Sequence, residues 1–212
     1  MLCCLFYFRY DGASVMSSQF AGVQQRVREH HPLAVYVHCP AHNLNIVLQD
    51  AAELPSIRSA VAAINELISY IAVSDIRSDE LEKHIKELLP EAVVPVLVRF
   101  CKMRWVEKQE AVVRFIQLYP AIMATLKTLQ GKRGEDGKAL NHEILLERPD
   151  VLIAAHVLGS VLRITKNLSL SLQSENMDLV ECMEEVQIVI DTLERYRIHK
   201  FAITQKQATV GA

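Results

Sequence analysis

The fold prediction starts from two motifs, YDGASVM at residues 10–16 and YVHCPAHNLN at residues 36–45. In the first motif, Asp11 ends an aromatic run over residues 5–10 that is typical of a short strand. In the second, a strand pattern ends near His38, and Pro40 stands where a first helical turn tolerates proline. Apolar residues at helical spacing follow each motif. Residues 5–54 therefore predict the order strand–helix–strand–helix, an α/β segment.

The pattern changes after Pro55, and residues 55–200 predict an all-α bundle without a strand. Apolar residues recur there at alternating steps of three and four, which is typical of helices with one buried face. The four seams are Ile57, Val61, Ile64, Ile68 and Ile71; Val112, Phe115, Tyr119, Ile122, Leu126 and Leu129; Val151, Ala155, Leu158, Leu162 and Thr165; and Leu179, Met183, Val186, Ile190 and Leu193. A charged amphipathic stretch over residues 75–91 predicts one or two further short helices.

Other signals predict where these helices end. Pro120 lies inside the second seam and predicts a kink or a break. Residues 131–138, rich in glycine and charge, predict a loop. The short gap between the last two seams predicts an antiparallel helical hairpin. The predicted organisation is a partial core segment over 1–54, a helical domain over 55–200 and a frayed tail over 201–212.

Composition limits the function classes. Half of the 212 residues are hydrophobic and Gly and Pro number seven each, which predicts a packed core rather than a disordered chain. The formal net charge of -2 argues against coating nucleic acid through bulk charge. Five scattered cysteines form no disulfide framework and favour a reducing compartment. Apolar runs are too short for a bilayer, so we expect no membrane partner.

The two motifs resemble the central part of hAT-superfamily transposase domains. The versions most similar are those of domesticated proteins of the zinc-finger MYM type and of the repressor of the inhibitor of protein kinase. The resemblance covers most of residues 10–198, and the block HCPAHNLN at residues 38–45 is its most specific part. It continues through Arg104-Trp105, although Lys102-Met103 departs from the threonine that often precedes that pair.

The resemblance implies a partial RNase H-like sheet followed by a large helical insertion, so the expected fold class is mostly α. It also implies that Asp11 falls on the second of three carboxylates that hold two Mg²⁺ ions in an intact family member. One aspartate cannot hold such a pair, because the ions need several converging carboxylates. We therefore expect a vestigial ligand position, no cofactor and no enzymatic activity. The alternative is that Asp11 simply forms an Asp-Gly turn.

Cys39 and His42 admit three interpretations. His38, Cys39 and His42 could contribute to a zinc site, but a second ligand pair at finger spacing does not follow. A Cys-His nucleophile is also conceivable, yet nothing in the sequence supplies a third orienting group. The remaining interpretation is that Cys39 is a small buried residue and His42 is a hydrogen-bonded histidine at the strand–helix junction. The resemblance adds a role for His42 in assembly on DNA, and we expect no metal.

A locally basic stretch, residues 99–133, carries eight Lys/Arg and two Glu, a net charge of +6. It contains the only tryptophan, Trp105, next to Arg104. An arginine beside an aromatic ring can hold phosphate and stack an unpaired base. The predicted DNA-binding residues are therefore His42, Lys102, Arg104, Trp105 and Lys108. The alternative is that Trp105 anchors a helix in the core and the basic side chains are solvated.

The last helical stretch, residues 173–198, carries seven Asp/Glu and two Arg, a net charge of -5. Phosphate would be repelled from it, so DNA would lie elsewhere and this helix could contact a protein or a second copy. The leading hypothesis is a catalytically inactive, domesticated or truncated transposase-like protein that binds DNA or protein in the nucleus. The alternative is a helical interaction scaffold with no DNA role.

Overall fold

The structure is a computed structural model that describes residues 7–10, 22–91, 96–98, 108–131, 136–174 and 178–210. Over these residues the protein is mostly helical, as predicted. The strands are β1 (Tyr7–Tyr10) and β2 (Val35–His38). The helices are α1 (Val23–His30), α2 (Pro40–Ala52), α3 (Pro55–Ala72), α4 (Asp75–Leu88), α5 (Lys108–Gln130), α6 (Asp136–Glu147), α7 (Pro149–Ser171) and α8 (Leu179–Val210).

The two strands form a small parallel sheet. Tyr7 is the register partner of Val35, and Tyr10 is the register partner of His38. A parallel pair needs a crossover, and α1 lies in the connection between the two strands. The described residues thus follow the order strand–helix–strand–helix. Two strands make a much smaller sheet than an RNase H-like domain would have, so that finer assignment stays a hypothesis.

Three helices begin at a proline. Pro40, Pro55 and Pro149 occupy the first turns of α2, α3 and α7. Proline costs no hydrogen bond at that position, because the first backbone N–H groups of a helix have no partner within the helix. The predicted helix start at Pro40 is confirmed.

The core lies between α3, α5 and α7, and three predicted seams are confirmed as its buried faces. α7 packs against α3 and α5, while α4 and α6 cover the sides of α5. Seam residues buried in this core are Ile57, Ile64, Ile68 and Ile71 of α3; Val112, Phe115, Ile122, Leu126 and Leu129 of α5; and Val151, Ala155, Leu158, Leu162 and Thr165 of α7. Val61 and Tyr119 are partly buried against them.

The predicted seam of α8 is wrong. Met183, Val186 and Ile190 are exposed, and Cys182 is the buried residue of this helix among its described side chains. Val189 packs beside Cys182 against the end of α7. Apolar residues occur on two sides of α8, and spacing alone does not say which side a neighbouring helix covers. The packing of α7 against α8 does follow the predicted hairpin order.

Helix boundaries differ from the prediction at three places. α5 continues through Pro120, so no break occurs there. α6 starts at Asp136, inside the predicted loop, and this helix was missed altogether. α8 continues to Val210, so residues 201–210 are helical where a frayed tail was expected. That last segment contains Ala, Gln and Lys, which all favour helix even without an apolar stripe.

The missed helix α6 has a polar residue in its buried stripe. Ala139, Glu143 and Leu146 are its buried residues, spaced by four and three. A glutamate in the middle of the stripe disguises the apolar periodicity. The carboxylate is tolerated because it accepts a hydrogen bond from the Gln130 amide and lies 3.7 Å from the Lys127 ammonium.

α2 belongs to the same packed body as the bundle. Leu48 and Ala52 are part of the main core cluster, next to α3. At the other end of α2, Ala41 and Leu44 pack against a smaller cluster formed by α7 and α8. The division at residue 54 stays a prediction, since α2 shares its buried surface with helices on the other side of that boundary.

Among the described helices, α7 has the length and hydropathy of a membrane span, and the bent pair α3 and α4 passes the same test as a unit. Core helices share these properties, and one face of α7 is buried between α3 and α5. The described helices thus give no sign of a membrane.

Candidate nucleic-acid interface

The edge where β1 and β2 end holds the part of the motif region that the structure describes. Parallel pairing places the carboxyl ends of both strands at one edge, with Tyr10 opposite His38. Asp11 follows Tyr10 in the sequence but lies outside the described residues. Tyr10, the first residue of the first motif, and His38 of the second are therefore neighbours in space, although they are 28 positions apart along the chain.

Chain direction changes within four residues at this edge. Cys39 is extended and precedes α2, and its carbonyl accepts hydrogen bonds from the backbone N–H groups of His42 and Asn43 at 3.0 and 3.1 Å. His42 is thereby fixed in the first turn of α2. Its imidazole is half-buried, as is the free thiol of Cys39. The geometry agrees with the interpretation of a histidine held at a strand–helix junction.

The first turn of α2 packs against α7 and α8. Ala41 and Leu44 pack against Leu168, Leu172 and Cys182, which come from the end of α7 and the start of α8. The start of α2 and the α7–α8 hairpin are therefore joined through this contact. His42 lies between Ala41 and Leu44 in sequence, so the α7–α8 hairpin holds the turn that carries it.

Metal ligands are not grouped in the part of the chain that the structure describes. No three His, Cys, Asp or Glu side chains there are arranged to hold an ion, and this includes His38, Cys39 and His42. The donor set of the described residues therefore does not fit the two-ion site of an intact transposase.

The basic stretch is described only in part. Of its eight Lys/Arg, the structure describes Lys108, Arg114 and Lys127. Arg114 donates to the Glu110 carboxylate and, at 3.0 Å, to the carbonyl of Val96. Lys127 lies 3.7 Å from Glu143. Arg114 and Lys127 thus have carboxylate partners within the protein.

The same three cations do not form a stripe. A helix turns about 100° per residue, so Lys108, Arg114 and Lys127 point to three different sides of α5. Lys108 is half-buried at the first position of the helix. Phosphate groups of one DNA duplex would not meet all three. Any DNA contact made by this stretch therefore depends on residues beyond the described part of α5.

Three of the predicted DNA-binding residues, Lys102, Arg104 and Trp105, lie outside the described residues, as does Asp11. The structure describes the other two, His42 on α2 and Lys108 on α5. The described residues thus neither assemble the predicted interface nor separate its members.

Two polar clusters inside the bundle were not predicted. His84 of α4 contacts Thr125 and Thr128 of α5, each at 3.3 Å, and its Nδ1 lies 2.9 Å from the carbonyl of Glu80. Both threonine hydroxyls also donate to carbonyls one turn earlier in α5. This cluster joins α4 to α5. Its members are about forty residues apart in sequence, so no local motif announces it.

The second cluster joins α3, α4 and α6 around Tyr70. The His142 imidazole stacks on the Tyr70 ring with centroids 4.7 Å apart, and the Arg77 guanidinium lies 4.0 Å from the same ring. Arg77 also donates to the Tyr70 carbonyl at 2.6 Å. Burial lowers the pKa of His142, against the opposing effect of Glu66 and with a smaller contribution from Arg77.

Comparison with known proteins does not assign this chain to a family. No protein-family model matches it, and no solved structure matches it either. The resemblance to hAT transposases therefore stays a hypothesis carried by the two motifs. The function has to be argued from the geometry around them.

Proposed function

We propose that this protein is a catalytically inactive relative of hAT-superfamily transposases that acts in the nucleus by binding DNA. The observation that carries the proposal is the pairing of Tyr10 with His38, which joins the first residue of the YDGASVM motif to the YVHCPAHNLN motif in a parallel strand pair. A strand–helix–strand unit of this kind supports a shared origin with an α/β core.

Loss of catalysis follows from the number of carboxylates in the motifs. Two-metal strand cleavage needs several acidic ligands around ions about 3.5–4 Å apart. The motifs supply Asp11 alone, and among the described residues no three His, Cys, Asp or Glu side chains are grouped to hold an ion. We therefore assign the protein a binding role without Mg²⁺ or another cofactor.

The DNA contacts are proposed for Lys102, Arg104 and Trp105, with His42 and Lys108 beside them. Arg104 would neutralise phosphate and Trp105 would stack on an unpaired base, which is worth about 1–3 kcal/mol per base. The acidic first half of α8 would repel DNA, so the nucleic acid would approach the bundle from another side.

A salt titration of DNA binding tests the proposal. We expect binding to branched or single-stranded-end DNA that weakens steeply with salt, because cations displaced from phosphate drive association. Arg104→Ala should reduce the slope and Trp105→Ala should weaken binding to unpaired ends, while Trp105→Phe should retain it. Arg58→Ala is the matched control, since Arg58 is an exposed cation on α3 that already pairs with Glu53.

A helical protein-binding scaffold is the second candidate. It is favoured by the pairing of Arg114 with Glu110 and of Lys127 with Glu143, which leaves less free positive charge on α5. Absence of DNA binding even at low salt would select this candidate. Equal affinity of wild type, Arg104→Ala and Trp105→Ala for DNA would also contradict the proposed contacts.

A further inference from the structure

α8 is the longest described helix. Among its described side chains, a buried residue occurs only near the start of the helix. Its 32 residues extend about 48 Å at 1.5 Å per residue. Cys182 packs against the end of α7, and Val189 lies partly buried beside it. Beyond this contact the helix carries a second set of apolar side chains that the rest of the described protein leaves uncovered.

We call this set the α8 stripe. Its members are Val180, Met183, Val186, Ile190 and Ile198, which are between 37% and 73% exposed. Steps of three and four residues place Met183, Val186 and Ile190 on one side of the helix, next to the side on which Cys182 is buried. Such a row of exposed apolar residues on one helix face is typical of an interaction surface.

Charge is separated along α8 in an unusual way. Residues 179–194 contain five acidic side chains and no Lys or Arg, and residues 195–210 contain four Lys/Arg and no acidic side chain. The acidic residues are Glu181, Glu184, Glu185, Asp191 and Glu194, and the basic residues are Arg195, Arg197, Lys200 and Lys206. The two halves of one helix thus carry net charges of -5 and +4.

We propose that α8 pairs antiparallel with α8 of a second copy of this chain through the α8 stripe. In an antiparallel pair whose two-fold axis lies near Ile190, the acidic start of each helix lies along the basic residues that follow position 194 in the other helix. A parallel pair would set like charges against each other over the whole length. In the antiparallel register, Met183 of one helix lies opposite Ile198 of the other, and Glu184 lies opposite Arg197.

Other occupants fit the surface less well. DNA is repelled by residues 179–194, and a uniformly basic partner helix would be repelled by residues 195–210. A second copy is the occupant whose charge reverses at the same point as that of α8. In a two-fold symmetric contact, the α8 stripe of each copy covers the α8 stripe of the other, because both copies contribute the same surface. This surface does not depend on the proposed DNA contacts.

Measuring the oligomeric state by sedimentation equilibrium or light scattering tests whether the α8 stripe forms a dimer contact. We expect a concentration-dependent dimer in the full chain. Met183→Asp and Ile190→Asp should each raise the dimer Kd roughly tenfold or more, because buried charge in the seam has no partner. Ile188→Asp is the matched control: Ile188 is 62% exposed, but it points away from the stripe and should leave the Kd unchanged.

Charge reversal tests the orientation. A first variant, Glu181→Lys with Glu184→Lys, and a second, Arg195→Glu with Arg197→Glu, should each dimerise more weakly than wild type. An equal mixture of the two variants should recover a heterodimer, since one helix is then basic and the other acidic. Circular dichroism of each variant shows whether α8 is still folded.

Three outcomes would overturn the proposal. The chain could stay monomeric up to its solubility limit, which would leave the stripe to a different protein. Ile188→Asp could disrupt association as strongly as Ile190→Asp, which would place the contact on another face. The mixture of charge variants could fail to associate while each variant alone dimerises, which would exclude the antiparallel arrangement.

Discussion

Tyr10 and His38 are register partners at the ends of two parallel strands, and this one relationship joins the two motifs of the sequence. The strand ends are immediately followed by Asp11 on one side and by Cys39 and the first turn of α2 on the other. Parallel strands end at the same edge of a sheet, so Cys39 and the first turn of α2 follow β2 at the edge where β1 also ends.

The first prediction concerns this edge. We expect no Mg²⁺-dependent DNA cleavage by the full chain, because Asp11 alone cannot bind two ions. Asp11→Asn should therefore give the same background as wild type in a plasmid-nicking assay with Mg²⁺ or Mn²⁺. Cleavage well above background that disappears in Asp11→Asn would show that further ligands join Asp11.

A second prediction concerns the close approach of α5 and α7 at Gly159. A Cβ atom at this position would lie 3.1 Å from Ile116 Cδ1 and 3.4 Å from Val112 Cγ1. Val112 is fully buried, so it cannot move aside without disturbing the core. Gly159→Val should lower the free energy of unfolding by about 1–3 kcal/mol, measured by urea denaturation.

Gly137→Val is the matched control for this substitution. Gly137 is exposed near the start of α6, and a Cβ atom there would meet nothing within 4 Å. We expect the free energy of unfolding to change by less than about 0.5 kcal/mol, since valine is a slightly better helix former than glycine. Equal losses at both sites would indicate a backbone effect rather than crowding between α5 and α7.

A third prediction concerns Glu143, whose carboxylate is buried in the stripe of α6. Glu143→Ala removes the acceptor of the Gln130 amide, and a part-buried donor without a partner costs about 1–3 kcal/mol. Thermal or urea unfolding should show a loss of that size. Lys127→Ala should cost under about 1 kcal/mol, because the ammonium end of this 3.7 Å pair is largely exposed.

The relative costs of the Lys127 and Glu143 substitutions show which interaction stabilises α6. If Lys127→Ala were as damaging as Glu143→Ala, the ion pair rather than the Gln130 hydrogen bond would stabilise α6. Glu143→Gln separates the two further, since it retains an acceptor for Gln130 but removes the charge that faces Lys127.

A fourth prediction concerns pH. Burial lowers the pKa of His142 below its ordinary value of 6.5, so the unfolded chain binds the proton more tightly than the folded one. The stabilisation is complete above the ordinary value and is lost as the pH falls through the lower pKa of the folded state. The free energy of unfolding should therefore decline on acidification from pH 8 to about pH 5.

His142→Phe supplies the comparison, because it keeps a ring against Tyr70 and removes the titrating group. The decline of stability with acidification should be shallower in this variant than in wild type. Direct titration of the His142 ring by NMR should give a midpoint below the ordinary value. An unchanged slope in His142→Phe would assign the pH dependence to other groups.

Helices with one strong apolar face were predictable from the sequence. The apolar residues of α3, α5 and α7 repeat at steps of three and four. A helix with a single apolar face buries that face against the core. Pro40 marks the start of α2 because the first turn of a helix tolerates proline, whereas Pro120 lies inside α5. The mostly helical fold class follows from these local rules alone.

Long-range pairing was not predictable in the same way. Glu143 hides the stripe of α6, and its partners Gln130 and Lys127 are on another helix. The clusters around His84 and Tyr70 likewise unite residues from different helices, so no window of sequence contains them. For the candidate interface, the amino-acid composition was enough to identify the basic stretch. That Arg114 and Lys127 pair with glutamates is visible only in the tertiary structure.

The sequence by itself determined where helices form, which motifs stand at residues 10 and 38, and how charge divides along α8, because these are properties of neighbouring residues. The tertiary structure decided that Tyr10 meets His38 and that α8 turns its Cys182 side, rather than Met183 and Ile190, towards α7. Such choices depend on which surfaces come together across the whole chain. Packing between distant segments selects among faces that local periodicity leaves equivalent.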